Sequence, residues 1–408
     1  LEVPHPPGAP FYLLLGRFFS FFALGNPEKI ALAINFLSVV SSAFTILFLF
    51  WTITHLTSKI IKTDSLNNIF LVLISGITGA LTFTFTDSFW FSAVEAEVYA
   101  MSSFFTAFVF WAILRWESAD NEKLQNRWII LIAYMMGLSI GVHLLNLVAI
   151  PALALIIYFK KTKRLSFLGL SLSLILSLFI VGLIVEGIIP GLPSIASFIE
   201  RLFVNSFGLP FGSGIIFFVV LFISCLSYLI YYSHKREKVI LNTSLLALMF
   251  ILIGYSSYSL VLIRSNYNPP IDENNPENIL NFISYLKREQ YGYRPLFRGQ
   301  YFDAEVVKQE ESGVNYKRGI DRYEVKEKKF RYVYDPKRTT IFPRMYSASP
   351  NHIERYREIT GLSQNQKPSF SDNLEFFFKY QVGHMYLRYL MWNFSGRSSD
   401  IQNANWLG

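Results

Sequence analysis

The chain has little charge and almost no cysteine. Asp, Glu, Lys and Arg together make up 16% of its 408 residues, and the one cysteine, Cys225, falls inside an apolar run. A lone thiol forms no internal disulfide, and a cysteine cage around a metal is excluded. Also missing are a phosphate-cradling glycine loop, a nucleophile elbow with a Ser-His-Asp order, and a paired-histidine metal motif. A soluble nucleotide-dependent enzyme is therefore disfavoured, and no metal or other cofactor is expected, with divalent-metal dependence left open. The first residue is Leu1, with no charged n-region and cleavage site behind it. We expect a fragment whose true start lies upstream, with continuation past Gly408 left open.

What is present decides the class. Hydrophobic residues reach 52% and aromatics 17%, mean hydropathy is +0.34, and the apolar residues come in runs of membrane-spanning length. The expected fold is an all-α polytopic membrane protein with a C-terminal α+β extramembrane domain, divided into residues 1–263 and 264–408. Apolar runs recur at about 31–54, 67–86, 91–114, 128–159, 166–188, 213–233 and 240–262. A single helix over 128–159 would be roughly 48 Å long, more than a bilayer needs.

Loop charge resolves that ambiguity. Lys59 and Lys62, then Arg115, Lys123 and Arg127, then Lys160, Lys161, Lys163 and Arg164, then Lys235, Arg236 and Lys238 are the basic clusters. The positive-inside rule puts all four on one cytoplasmic side only if 128–159 crosses twice. The break is placed near His143, between passes 128–142 and 144–159. Eight passes follow, with both ends of the sequence outside. Residues 1–28, 87–97, His143, a loop over 189–212 with Glu200 and Arg201, and the tail from Arg264 then share the far side. The net charge of +8 is accounted for by this bias and by mixed charges in the tail, which face anionic headgroups, so no nucleic-acid partner is expected.

The densest polar stretch is Thr86 to Met101, with three carboxylates, Asp87, Glu95 and Glu97, between two apolar runs. Ionisable groups at a membrane edge are costly and ask for a reason. If 91–114 is one helix, Phe91, Glu95, Tyr99, Ser102 and Thr106 share a face. Glu97 then lies roughly 200° round from Glu95. Glu95 reads equally as a carboxylate at the mouth of an intramembrane site and as an interfacial anchor; for Asp87 and Glu97 the anchor is favoured.

Residues 1–10 hold four prolines and a glycine, which forbids a continuous helix; Phe11 to Leu24, interrupted by Arg17, suits a helix in the interface. In the tail, Asn275 as N-cap with Pro276 and Glu277 starts a helix that ends before Gly292. Phe330, Tyr332 and Tyr334 alternate as a strand, Asp335-Pro336 turns the chain, and Thr340 to Phe342 is a candidate return strand. Residues 373–394, rich in aromatics with Lys379 and Arg388 interleaved, read either as a helix on the outer leaflet or as an aromatic core helix of the tail.

The run His5-Pro6-Pro7-Gly8-Ala9-Pro10 with Leu15-Gly16-Arg17 resembles the His-Pro-Pro signature in the first external loop of GT-C membrane glycosyltransferases, notably protein O-mannosyltransferases. Phe89 to Tyr99, Gly137 to His143, Tyr285 to Gly292 and Met391 to Phe394 extend the resemblance to one bacterial family, long catalogued as a domain of unknown function and related to those enzymes. The resemblance implies transfer of a sugar, mannose first among them, from a polyprenyl-phosphate donor to a protein Ser or Thr on the periplasmic face of a bacterial inner membrane. The family's catalytic acid sits just before the His-Pro-Pro run, upstream of Leu1 here, and Glu2 is not taken as its replacement. Among residues present, Glu95 is the expected catalytic carboxylate, His5, Arg17 and His143 the candidates for the donor phosphate, and Asp87, Glu97 and Tyr99 acceptor-side or structural. Membrane lipids are expected partners. Two other readings stand beside this one: a flippase for a lipid-linked precursor, which should show two related halves, and a non-catalytic envelope assembly protein.

Overall fold

The computed structural model describes residues 2–162, 164–292, 294–401 and 403–407, so Lys163 of the third basic cluster lies outside the described residues. Two units emerge, Leu1–Arg288 and Glu289–Gly408.

The first unit is helical. It comprises α1 (Pro10–Ser20), α2 (Ile30–Ile60), α3 (Leu66–Thr84), α4 (Asp87–Val94), α5 (Val98–Glu117), α6 (Glu122–Ile140), α7 (Ala149–Lys161), α8 (Phe167–Gly182), α9 (Leu192–Phe207), α10 (Ser213–Lys235), α11 (Val239–Tyr255), α12 (Ser259–Ser265) and α13 (Ile279–Leu286). Seven stretches among the described residues are long and apolar enough to cross a membrane; α6, with charges at its start, falls outside that set. The expected division of 128–159 is present as a break: α6 ends at Ile140, Gly141 and Val142 turn, and a 3₁₀ turn over Leu144–Val148 leads into α7. Short polar side chains start the helices where the sequence supplies them. Ser65, Asn121 and Ser166 each accept a hydrogen bond from the amide three residues on, at the starts of α3, α6 and α8, satisfying donors that a helix leaves unpaired.

Three expectations are corrected. Residues 91–114 are not one helix, because Glu95 to Glu97 are extended between α4 and α5. A continuous helix would hold Glu95 in its interior and send Phe89 outward. The break instead lets α4 bury Phe89, whose ring centre lies 4.7 Å from that of Phe83. It also puts Glu97 at the start of α5, where the helix dipole favours negative charge. The face Phe91-Glu95-Tyr99 therefore does not exist. Second, most of 189–212 is helix: α8 continues through a π-helical segment, Leu183–Gly191, that takes up Pro190, and into α9. A wider turn accommodates a proline that would clash in regular α-helix. Third, α13 is capped by Asn278, whose Oδ1 accepts from Leu280 and Asn281 amides, while Asn275 takes a left-handed backbone.

Glu200 of α9 is fully buried, and its carboxylate accepts from the backbone amides of Gly212 (2.6 Å), Gly214 (2.9 Å) and Ile215 (3.1 Å) at the start of α10. The charge is compensated by three donors and a helix N-terminus, a structural use of the residue. The helices α6 and α11 meet through glycine: a Cβ on Gly137 would overlap the backbone of Ile251, and one on Gly254 the backbone of Leu138 and Gly137. Only small residues allow such an approach between helices.

In the second unit, β1 (Arg298–Gln300) pairs antiparallel with β4 (Thr339–Ile341), and β2 (Val306–Arg318) with β3 (Tyr323–Tyr334). The strand at Phe330 to Tyr334 is thus present, while the return segment pairs with β1 rather than with it. The helices α14 (Pro350–Thr360), α15 (Phe370–Phe376) and α16 (Arg388–Ser395) follow, the last two joined through a π-helical segment. Their core holds Phe302, Met345, Tyr356, Leu362 and Phe376. Buried Asn373 pins it, accepting from the amides of Arg344 and Met345 and donating to the Phe342 carbonyl.

Gly137→Val should lower stability by about 1–3 kcal/mol, because a branched side chain would force apart two backbones. Gly182→Ala, in a helix with nothing within 4 Å of the added Cβ, should be neutral or stabilising. Thermal unfolding of both variants in one detergent tests this; an unchanged Tm for Gly137→Val would contradict the close approach.

Candidate functional site

The leading segment forms one wall. Its prolines keep it extended, and it is strapped to the chain that follows α12: the Val3 amide donates to the Ile271 carbonyl (2.9 Å) and the Glu273 amide to the Val3 carbonyl (3.0 Å). The fully buried Tyr285 of α13 donates its hydroxyl proton to the Pro4 carbonyl at 2.8 Å. Gly8, with φ +68°, passes so close to that hydroxyl that a Cβ would overlap it. The glycine of the His-Pro-Pro-Gly run is thus required twice, by its backbone angle and by the space. The chain then turns into α1, whose first amides at Phe11 and Tyr12 donate to the Gly141 carbonyl at 2.9 and 3.4 Å.

This contact joins the leading segment to the turn after α6. The His143 amide donates to the Ser139 carbonyl at 2.8 Å, and its Nδ1 accepts from the Leu145 amide at 3.1 Å. An accepting Nδ1 leaves the proton of the neutral ring on Nε2. The ring centre lies 5.6 Å from that of Tyr99, near the start of α5. Burial of the ring, and then the positive charge of Arg288, hold the His143 pKa below the usual histidine value of 6.5.

Only some of the expected residues converge. His143 and Tyr99 do, with Arg288 added just beyond α13. Glu95 and Glu97 flank the bend that precedes Tyr99, both exposed; the Glu97 amide donates to the Glu95 carbonyl at 2.8 Å, and the Glu97 charge reaches Tyr12 of α1. Asp87 opens α4, where a carboxylate suits the helix dipole. His5 is exposed on the leading segment, its carbonyl accepting from the Gly8 amide. Arg17 is turned along its own helix, with Nη1 donating to Ser20 Oγ at 3.2 Å and the guanidinium 4.7 Å from the Phe21 ring centre. Those contacts carry it toward the end of α1, whereas His143 adjoins the start. Arg288 is the cation that sequence reasoning did not assign to the phosphate; its one signal was its place in the Tyr285 to Gly292 run. Tyr258, buried with its hydroxyl donating to the Ile140 carbonyl at 3.3 Å, was also missed.

Residues 1–166 match the family model described as the Protein O-mannosyl-transferase TMEM260 N-terminal domain. Over that stretch the chain is similar to a membrane O-mannosyltransferase. Three of the five motifs, the His5 to Arg17 run and those closing at Tyr99 and at His143, lie inside the match. Residues 292–378 match a Family of unknown function (DUF8416). A curated relative, "Protein O-mannosyl-transferase tmem260" of Dictyostelium discoideum, is 26% identical over 159 residues, 36% of this chain and 18% of that protein. The matched part thus spans under a fifth of the relative's length. No solved structure matches the chain.

His143 should titrate below 6.5, and Arg288→Gln should move its pKa back up, since a positive neighbour disfavours protonation. The cap needs a neutral Nδ1, so it contributes fully above the ordinary histidine range and is lost as pH falls below it. Histidine-labelled NMR, assigned with His143→Gln, measures this; an unshifted titration in Arg288→Gln would refute the electrostatic contact.

Proposed function

We propose that the chain carries the catalytic end of a GT-C type glycosyltransferase that moves a sugar, mannose by family resemblance, from a polyprenyl-phosphate donor to a protein Ser or Thr hydroxyl. The observation that carries the reading is the convergence of the His-Pro-Pro strap, the acidic bend and the His143 turn at one end of the helices. The similarity of residues 1–166 to an O-mannosyltransferase N-terminal domain supports it.

The chemistry suits the residues. Phosphate is already a good leaving group, so no acid is needed to expel it, and one carboxylate suffices to take the acceptor's proton. The acceptor oxygen forms the new bond to the sugar carbon as the carbon–phosphate oxygen bond breaks, with the electron pair leaving on the phosphate. A single displacement of this kind inverts the sugar carbon. Arg288 supplies a fixed positive charge for the departing phosphate, and the Nε2–H of His143 a neutral donor beside it. His5 serves as a second donor, and Arg17 as an anchor at the membrane interface rather than a phosphate ligand. Glu95 orients the acceptor hydroxyl or accepts its proton. Glu97 and Asp87 start helices, and Tyr99 positions the His143 ring. The lysine clusters, read by the positive-inside rule, support a periplasmic side of a bacterial inner membrane for this end.

Full-length protein, given mannosyl-phosphoryl polyprenol and a Ser/Thr peptide, should label the peptide. Glu95→Gln should lower kcat by at least about 100-fold, and Arg288→Gln should act on donor turnover while Arg17→Gln leaves it within a fewfold of normal. Absence of transfer by intact protein would sink the sugar-transfer reading, and undiminished transfer by Glu95→Gln would remove that residue from the reaction.

A further inference from the structure

At the other end of α5 a cleft of about 530 Å³ opens between helix ends of the first unit. Trp51, His55 and Ser58 of α2, Trp111 and Arg115 of α5 and Trp128 of α6 line it. Tyr99 and Arg115 are separated by roughly 24 Å along the helix, so this cleft is distinct from the candidate site. The three indoles form a continuous wall: the Trp51 and Trp111 rings are 5.4 Å apart and tilted, and Trp111 and Trp128 meet edge to face at 5.5 Å.

Several of the charges around the cleft are committed. Lys59 is paired with Glu117. Lys160 donates to the Trp116 and Glu117 carbonyls and lies over the Trp116 ring. His55 Nε2 lies 3.2 Å from Ser118 Oγ. Asp120 also acts on Lys160. Arg115 is exposed and, among the described residues, has no acceptor in the protein. A guanidinium with open donors beside a hydroxyl and an indole wall matches a phosphate joined to something apolar. Val72 of α3 closes the cleft on the side where Ile69 and Leu73 stand exposed on that helix, which gives an acyl chain a surface to lie along. Indoles favour the same boundary between headgroup and hydrocarbon.

We propose that this cleft binds the phosphate headgroup of an anionic glycerophospholipid, with Arg115 as its principal ligand and the three tryptophans seating the glycerol and upper acyl region. The site is separate from sugar transfer and stands or falls without it.

Native mass spectrometry of the whole chain, released from nanodiscs of mixed phosphatidylglycerol and phosphatidylcholine, reads the retained lipid. The wild type should keep phosphatidylglycerol in preference to phosphatidylcholine. Arg115→Gln should lower that retention about tenfold, the loss of a charge-assisted contact, and Arg115→Lys should restore part of it. Lys62→Gln removes the same charge from the neighbouring loop and should leave retention unchanged. Equal retention of the two lipids, equal loss in Lys62→Gln and Arg115→Gln, or displacement by millimolar inorganic phosphate would each overturn the proposal, the last by assigning the site to a free anion. Should Arg115→Gln fail to fold, the lipid preference and phosphate competition in the wild type decide between these outcomes.

Discussion

The contact on which the candidate site depends is the backbone approach of α6 and α11 at Gly137 and Gly254. Helices this close share no side-chain layer, so the position of one fixes that of the other within the reach of van der Waals contact. The end of α6 is thereby held against Tyr258, whose hydroxyl takes the Ile140 carbonyl. A helix end left without such a partner in an apolar surrounding would forfeit several kcal/mol per unpaired group. The carbonyl of the next residue, Gly141, is left to receive the first amides of α1. One turn therefore ends α6, starts α1 and aims the His143 ring.

The same accounting explains the strap. A proline-rich segment cannot satisfy its own polar groups by helix formation, and proline lacks the donor altogether. Val3 exchanges two bonds with the chain at 271–273, and Pro4 receives the hydroxyl of Tyr285, 281 residues further along the chain. Those bonds tie α13, and with it Arg288, to the leading segment. The tyrosine of that motif is thus joined to the His-Pro-Pro run by ordinary satisfaction of a backbone carbonyl, and Arg288, three residues on, lies near enough for its charge to act on His143.

Much of this was legible in the sequence, and the reasons differ by element. The spans were readable because a bilayer imposes a length on apolar runs, and the split at His143 because lysines would otherwise fall on both sides. The bend at Glu95 to Glu97 was not, since alanine and glutamate are good helix formers and nothing local announces a break. The segment 189–212 was expected as a loop, whereas a π-helical segment takes up Pro190 and leads into α9. The turn at His143 was readable from the sequence, while the influence of the Arg288 charge on it was not, because the two segments lie far apart in sequence. The contacts of Arg17 with Ser20 and Phe21 on its own helix were equally unannounced by its motif position.

The two ends of α5 divide their charge by kind. Toward Val98 lie exposed carboxylates, a histidine whose pKa is held down, and Arg288; toward Glu117 lie lysines, Arg115 and tryptophans. Between them the helix presents Phe104, Phe108 and Trp111 to Phe48 of α2, with ring centres 5.1 to 6.0 Å from it. That aromatic layer contains no titratable group, so the charges at the two ends do not compensate each other through a chain of contacts, and each must be balanced locally. At the lysine end Glu117 balances Lys59 and helix carbonyls hold Lys160. At the other end Glu97 stands at the start of α5, where the helix dipole favours it, whereas Glu95 stands at the end of α4 and is balanced by solvent.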